Sequence, residues 1–315
     1  MKILIAGGAG FIGSHLCARL LSENHEVICV DNLISGNKKN IEPLLSNKLF
    51  TFLQHDVIGP LPDSLLANAV FHLASPASPN HHSPISYHAL PLETMNVNTV
   101  GTMELLKFSL KNNARFLFAS TSEIYGDPLV HPQTEDYRGN VSTTGPRSVY
   151  DEAKRYGETI TAYFWRSKKV DARIARIFNT YGPNMLVSDK RMIISFITQA
   201  IKNEPITIFG DGTQTRSLCF IDDMVEGLHR LMFYPNTKEV IVNLGAPIEH
   251  TVKEYAQIVK KLLNSKSEIV CTEKLPTDDP KKRRADISLA KKLLQWEPKV
   301  SLEEGLQKTI NYFKV

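Results

Sequence analysis

Tyr150 and Lys154 stand four positions apart in Ser148-Val149-Tyr150-Asp151-Glu152-Ala153-Lys154. On a helix that spacing puts both side chains on one face, with the ammonium beside the phenol. A tyrosine is a poor base near neutral pH. Its free pKa is about 10, and bringing it to about 7 takes roughly 4 kcal/mol of preference for the phenolate. A close ammonium supplies part of that preference. A second piece of chemistry lies in Gly7-Gly8-Ala9-Gly10-Phe11-Ile12-Gly13. Glycines at Gly7, Gly10 and Gly13 permit a tight turn, a close backbone approach to a pyrophosphate, and a helix N-terminus aimed at the anion. Asp31 closes the second apolar run, Val27-Ile28-Cys29-Val30. An acid there can accept from a ribose 2′-hydroxyl and repel a 2′-phosphate, which selects NAD over NADP. A nicotinamide cation would add its charge to that of Lys154 in favouring the Tyr150 phenolate.

These groups need a scaffold to hold them together. Short apolar stretches at 3–6, 27–30, 49–53, 69–73, 115–120 and 171–177 read as buried parallel strands. Between them the longest helical patterns span 92–111 and 150–167, and residues 11–21 form the helix behind the glycine loop. The alternation predicts an α/β fold, a doubly wound parallel (Rossmann) sheet that binds ligands at the carboxyl ends of its strands. Asp56, His72, Ala74, Thr121, Ser122 and Glu123 fall just past such ends. Beyond Ile177 the pattern breaks at Pro183, Pro205, Gly210-Asp211-Gly212 and Gly245-Ala246-Pro247. Residues 1–178 are therefore expected to form the NAD-binding domain. Residues 179–315 should be mostly a smaller, mixed α/β substrate domain, with the helix near 222–232 returning to the first.

Composition sets limits on function. A chain of 315 residues, 42% hydrophobic and 22% charged, suits a globular enzyme with ample core. A net charge of +4 and one short basic run, Lys281-Lys282-Arg283-Arg284, make no case for nucleic acid. No stretch reaches the roughly 18–20 apolar residues of a membrane span. Met1-Lys2 leads straight into a strand with no signal peptide, so a cytoplasmic location is expected. Cys17, Cys29, Cys219 and Cys271 lack metal spacing and read as reduced core thiols. His81 and His82 sit in a Pro-rich loop with no acid at useful spacing, so they read as solvent-exposed and no metal is expected.

Together the glycine loop, Asp31, Tyr150-x3-Lys154 and Ser120-Thr121-Ser122-Glu123 resemble the extended short-chain dehydrogenase/reductase family of nucleotide-sugar enzymes. Within that family, the chain is similar to the UDP-glucuronate decarboxylases, which make UDP-xylose. The residues that carry this are His72-Leu73-Ala74-Ser75-Pro76-Ala77-Ser78-Pro79, Gly145-Pro146-Arg147, Gly212-Thr213-Gln214-Thr215-Arg216, Asp278-Asp279-Pro280-Lys281-Lys282-Arg283 and Trp296-Glu297-Pro298. Departures are few: Ala153 stands where glycine is expected, and Arg284-Ala285 where Lys-Pro is. The resemblance implies a redox-neutral decarboxylation. C4 of the uronate is oxidised with bound NAD, the carboxylate β to the new ketone leaves as carbon dioxide, and protonation at C5 with hydride return gives the pentose.

On that scheme the resemblance makes Tyr150 the base for the C4 hydroxyl, with Lys154 lowering its pKa and holding the nicotinamide ribose. Thr121 would lie within hydrogen-bond reach of the same hydroxyl. Ser122 and Glu123 would face the substrate carboxylate, and Arg283 would meet it and help protonate C5 through a water. Arg216 would clamp the diphosphate with its planar fork. Asn179 and Arg191 would be further nucleotide-sugar contacts. Cofactor contacts would come from Gly7, Gly10, Phe11, Ile12, Gly13, Asp31, Val57, Leu73 and Ala74, with Asp56 at the adenine amine. A homodimer paired through 92–111 and 150–167 is also implied. Two rival readings stay open: an oxidative decarboxylase releasing NADH and a UDP-4-keto-pentose, and an NAD-binding regulatory protein without turnover. A 4,6-dehydratase would need an acid where Ser122 stands, and a 4-epimerase would leave Glu123 and Arg283 without a task.

Overall fold

The computed structural model describes residues 1–275 and 279–314; Asp278 of the run quoted above lies outside them. The first half holds strands β1 (Lys2–Ala6), β2 (Glu26–Asp31), β3 (Phe50–Gln54), β4 (Ala69–His72), β5 (Arg115–Thr121) and β6 (Ala172–Ile177). Its helices are α1 (Phe11–Ser22), α2 (Pro91–Asn96), α3 (Thr102–Asn112) and α4 (Ser148–Lys168). Then come strands β7 (Thr180–Tyr181), β8 (Ile206–Phe209), β9 (Thr215–Arg216), β10 (Cys219–Phe220), β11 (Ile241–Leu244), β12 (His250–Thr251) and β13 (Ile269–Glu273). The helices of that half are α5 (Met192–Ile201), α6 (Ile221–Phe233), α7 (Val252–Leu263), α8 (Ser288–Leu294) and α9 (Leu302–Phe313).

Seven strands form one sheet in the order β11-β6-β5-β4-β1-β2-β3. All neighbours in it are parallel. Such a sheet is covered on both faces, so its strands are apolar on both. Alternate residues of β1 divide accordingly: Ile3 and Ile5 join one core, Leu4 and Ala6 the other. The connections reverse direction between β1 and β4, and that switch point opens the crevice at their carboxyl ends. The remaining strands make three two-stranded sheets, β7 with β10, β9 with β12, and β8 with β13. No helix among the described residues is long and apolar enough to cross a membrane.

Two elements differ from the sequence expectation. Strand β11 had no assignment, yet it pairs with β6 and supplies the seventh strand from well beyond residue 178. Its run is only Ile241-Val242-Asn243-Leu244, too short for periodicity to identify. The polar Asn243 is tolerated because its side chain accepts from Tyr125 Oη at 2.8 Å and donates to the Gln133 carbonyl at 3.0 Å. The expected single helix at 92–111 is broken by a π turn at Val97–Gly101. The widened turn meets the ring of His72, whose Nε2 lies 3.2 Å from the Val97 carbonyl and 3.1 Å from Thr102 Oγ1.

Candidate active site

A cavity of about 830 Å³ opens where β1, β5 and β6 end, with Ile208 and Val252 of the C-terminal half on its far wall. Gly7 turns the chain out of β1 at φ +81°. A Cβ there would sit 2.6 Å from the Ala74 nitrogen, so only glycine lets the two strand ends approach. Gly10 stands at the N-terminus of α1 and offers no capping side chain, which leaves the first-turn amides to an anion. Phe11, Ile12, Gly13 and Leu73 line the same cavity. Asp31, Asp56, Val57 and Ala74 line a smaller one that adjoins it through Gly7, Gly10 and Leu73. The Asp31 carboxylate accepts from the Ala9 and Leu33 amides at 3.0 and 2.8 Å. Burial nevertheless pushes its pKa up. Each of its oxygens keeps a lone pair for a further donor.

Helix α4 carries Tyr150 and Lys154 into the cavity on one face. The Tyr150 ring stacks on Tyr87 at 4.9 Å between centroids and 7° between planes. The Lys154 ammonium donates to the Ala119 carbonyl at 2.7 Å and lies 5.8 Å from the Tyr150 ring centre. Burial pushes the Tyr150 phenol up to about 12, against the pull of the Thr121 hydroxyl. Burial also pushes Lys154 down to about 7, with Glu158 opposing. Glu158 itself is held by Arg176 through bonds of 2.9 and 2.8 Å. The expected lowering of Tyr150 by Lys154 is therefore not a property of the chain alone. Two buried groups each resist charging, and a further cation would be needed to hold the phenolate. Thr121 Oγ1 accepts from the Glu123 amide at 3.2 Å, which caps the turn after β5 and leaves its own proton free to donate.

Beyond Thr121 the site is a line of alternating charges. Arg216 donates to Asp279 at 2.7 Å, Asp279 accepts from Arg147 at 3.2 Å, Arg147 pairs with Glu123, and Glu123 pairs with Arg283. Burial raises the Glu123 pKa, but the two guanidiniums outweigh it and hold the carboxyl well below its ordinary range. Three guanidiniums against two carboxylates leave one positive charge facing the cavity. Arg283 also donates to the Gly126 carbonyl at 2.7 Å, while its Nε is buried without a partner among the described residues. Of the basic run only Arg283 is buried; Lys281 and Lys282 are exposed. Ser122, Asn179 and Arg191 complete the lining, with Arg191 Nε 2.8 Å from Asp189.

The description of the NAD dependent epimerase/dehydratase family fits this chain over residues 3–245, more than half its length. The chain belongs to that family. Among its relatives is UDP-glucuronic acid decarboxylase 1 of Danio rerio, 47% identical over 314 residues, 99% of this chain and 72% of that protein. UDP-glucuronic acid decarboxylase 6 of Arabidopsis thaliana is 48% identical over 97% of this chain and 87% of its own. Among solved structures, UDP-glucuronic acid 4-epimerase from Bacillus cereus, in complex with UDP-glucuronic acid and NAD, superposes with a TM-score of 0.87. It is 30% identical and covers 100% of this chain and 99% of that one. UDP-glucose 4-epimerase from Thermotoga maritima gives 0.88, also at 30% identity.

NAD is the cofactor of this family, and the residues present fit it. The Gly7–Ala74 approach leaves no Cβ in the way of a dinucleotide, and Asp31 retains acceptor capacity beside the glycine loop. Three residues of this family member escaped the sequence reading. Arg147 was quoted within a motif but given no task, although it joins both acids of the charge line. Asp279 too was quoted within a motif without a task, and Tyr87 carried no local signal, since their partners lie far along the chain. A fourth, Asp151, is a buried carboxyl next to Tyr150; burial and the Glu123 charge push it up to about 8.

Proposed function

We propose that the chain decarboxylates UDP-glucuronate to UDP-xylose through a 4-keto intermediate, with no net redox change. The observation that carries this is the union, in one cavity, of Tyr150 and Lys154 with the Glu123–Arg283 pair. The first two residues suit oxidation at C4 and the second two suit work on a carboxylate at C6. NAD, when bound on the glycine loop, supplies the acceptor for the C4 hydride and the source from which it returns. Tyr150 takes the C4 hydroxyl proton, and Thr121 orients that hydroxyl. Once C4 is a ketone, the C5–C6 bond breaks, its electron pair passes into the enolate, and carbon dioxide leaves. Arg283 and the net positive charge around it hold the carboxylate beforehand. Protonation at C5 then runs through a water held by Arg283 and Glu123, because a guanidinium gives up its own proton too reluctantly. Arg216 holds the diphosphate, with Asn179 and Arg191 beside it.

The epimerases among the solved structures are 26–30% identical, whereas the decarboxylases reach 45–48% over nearly the whole chain. That difference and the carboxylate-directed pair favour loss of carbon dioxide over inversion at C4. We also infer a homodimer, since Leu92, Val100, Tyr156 and Tyr163 leave apolar surface exposed along α2, the π turn and α4. Incubation with UDP-glucuronate should release carbon dioxide and UDP-xylose without accumulating NADH. A 4-epimer retaining its carboxylate, or stoichiometric NADH with a keto sugar, would overturn the assignment. Tyr150→Phe should abolish transient NADH and carbon dioxide alike. Glu123→Gln and Arg283→Ala should cut carbon dioxide release by about 10²-fold or more.

A further inference from the structure

The proposed reaction makes no use of the histidine pair at the cavity rim. The sequence shows no acid near His81 and His82, but the fold brings Glu273 from 191 residues away on β13. His82 Nε2 lies 3.1 Å from one Glu273 oxygen and 3.3 Å from the other, and His81 Nε2 lies 3.7 Å from the second. Ligand atoms on a tetrahedral zinc ion, at about 2.0–2.2 Å from the metal, sit roughly 3.3–3.5 Å from one another. The observed spacings bracket that value. All three residues are exposed, so a cation can reach them.

Their backbones are fixed from both sides. The His82 amide donates to the Asn80 side chain at 2.9 Å, and Asn80 in turn donates to the Lys190 carbonyl at 2.7 Å. Glu273 is the register partner of Phe209 on β8, and both imidazoles lie against the Phe209 ring at 6.1 and 6.3 Å.

We propose that His81, His82 and Glu273 form a site for a zinc-like divalent cation, which on binding clasps the loop after β4 to β13 across the cavity rim. Two imidazoles and a carboxylate favour zinc over the oxygen-seeking Mg²⁺ and Ca²⁺, and three protein ligands leave a fourth position for water. Because the same residues line the cavity, the bound ion narrows the approach to it.

The test uses the full chain carrying Cys271→Ser, because that thiol, expected in the core, is instead exposed on β13 and could act as a rival ligand. Calorimetric titration of metal-stripped protein with Zn²⁺ should show one saturable ion per chain in the low micromolar range, and Mg²⁺ should give no signal. His82→Ala and Glu273→Gln should each weaken zinc binding by about tenfold or more, as loss of a metal-site partner does. No saturable binding, or equal binding by the His81→Ala/His82→Ala double variant, overturns the site. The clasp rests on the proposed reaction and is read separately: zinc should slow turnover of UDP-glucuronate in the parent, reversibly on chelation, and not in His82→Ala. Equal slowing of both, or none in the zinc-loaded parent, overturns the clasp. Zinc bound as expected by a protein with no turnover at all counts against the reaction and for the site.

Discussion

Glu123 stays ionised in a buried place because Arg147 and Arg283 both hold it. Arg147→Ala would remove one of these and leave Asp279 with Arg216 alone. Each acid keeps one guanidinium and loses the other, so the variant should melt below the parent. The Glu123 pKa should rise with it. An acid limb absent from the parent should then appear in kcat, activity falling as the pH drops through that raised value. Arg147→Lys keeps the charge and loses the fork, so it should shift the limb only partway. Matching kcat profiles for parent and Arg147→Ala would exclude any electrostatic role for Arg147. Asp151 has the opposite sign. Its folded pKa of about 8 stands above the ordinary 3.8, and its Oδ1 lacks a partner among the described residues. A raised carboxyl adds stability that is full at low pH and lost as pH climbs through the folded pKa. Asp151→Asn stays neutral throughout. Its melting temperature relative to the parent should therefore increase between about pH 5 and pH 8.5; a constant difference would mean that Asp151 is ionised in both states.

At the level of elements, the glycine loop works because β1 and β4 end side by side and nothing fills the gap between them. Gly7→Ala would place a methyl group 2.6 Å from the Ala74 nitrogen at a φ of +81°. Such a change where φ is positive costs more than about 1 kcal/mol. It should also abolish NAD binding, since the strand ends must part. Gly59→Ala is the control, because its new Cβ would meet nothing closer than 3.7 Å and its backbone is unstrained. Calorimetry of NAD binding to both variants distinguishes them, and a Gly7→Ala protein that binds NAD normally would refute the cradle. The π turn after α2 follows the same logic of fit. Its extra residue lets Val97 and Thr102 meet His72, whose pKa burial pushes down to about 3, so the ring is neutral.

On the scale of the whole molecule, one core runs from β1 through α6 to α9 and ties the C-terminal half to the sheet. The other core, under α3 and α4, is closed by helices whose outer faces still show Leu92, Val100, Tyr156 and Tyr163. Tyr156 and Tyr163 are two turns apart on α4 and share a face. If that face pairs with its copy, Tyr156→Glu with Tyr163→Glu should convert a dimer into a folded monomer in sedimentation. A parent that sediments as a monomer at assay concentration would remove the dimer from the proposal.

What the sequence determined by itself is whatever chain neighbours decide. The glycine loop, the Asp31 strand end, the shared face of Tyr150 and Lys154, and the alternation of six strands are all written in spacings of a few residues. Local sterics and periodicity suffice to read them. Tertiary structure decided the rest, because the deciding partner was distant. The resemblance singled out Arg283 from Lys281 and Lys282, but only the fold shows it buried against Glu123 and Gly126 while the two lysines stay exposed. Arg147 gained its task from Asp279, 132 residues away. His81 and His82, read as solvent-exposed for want of an acid, received Glu273 across 191 residues. Strand β11 became a strand by pairing with β6, not by its own short run. Even the charge of Tyr150 depends on burial, which no spacing reports: the same i, i+4 pair that promises a phenolate at the surface resists one in the interior.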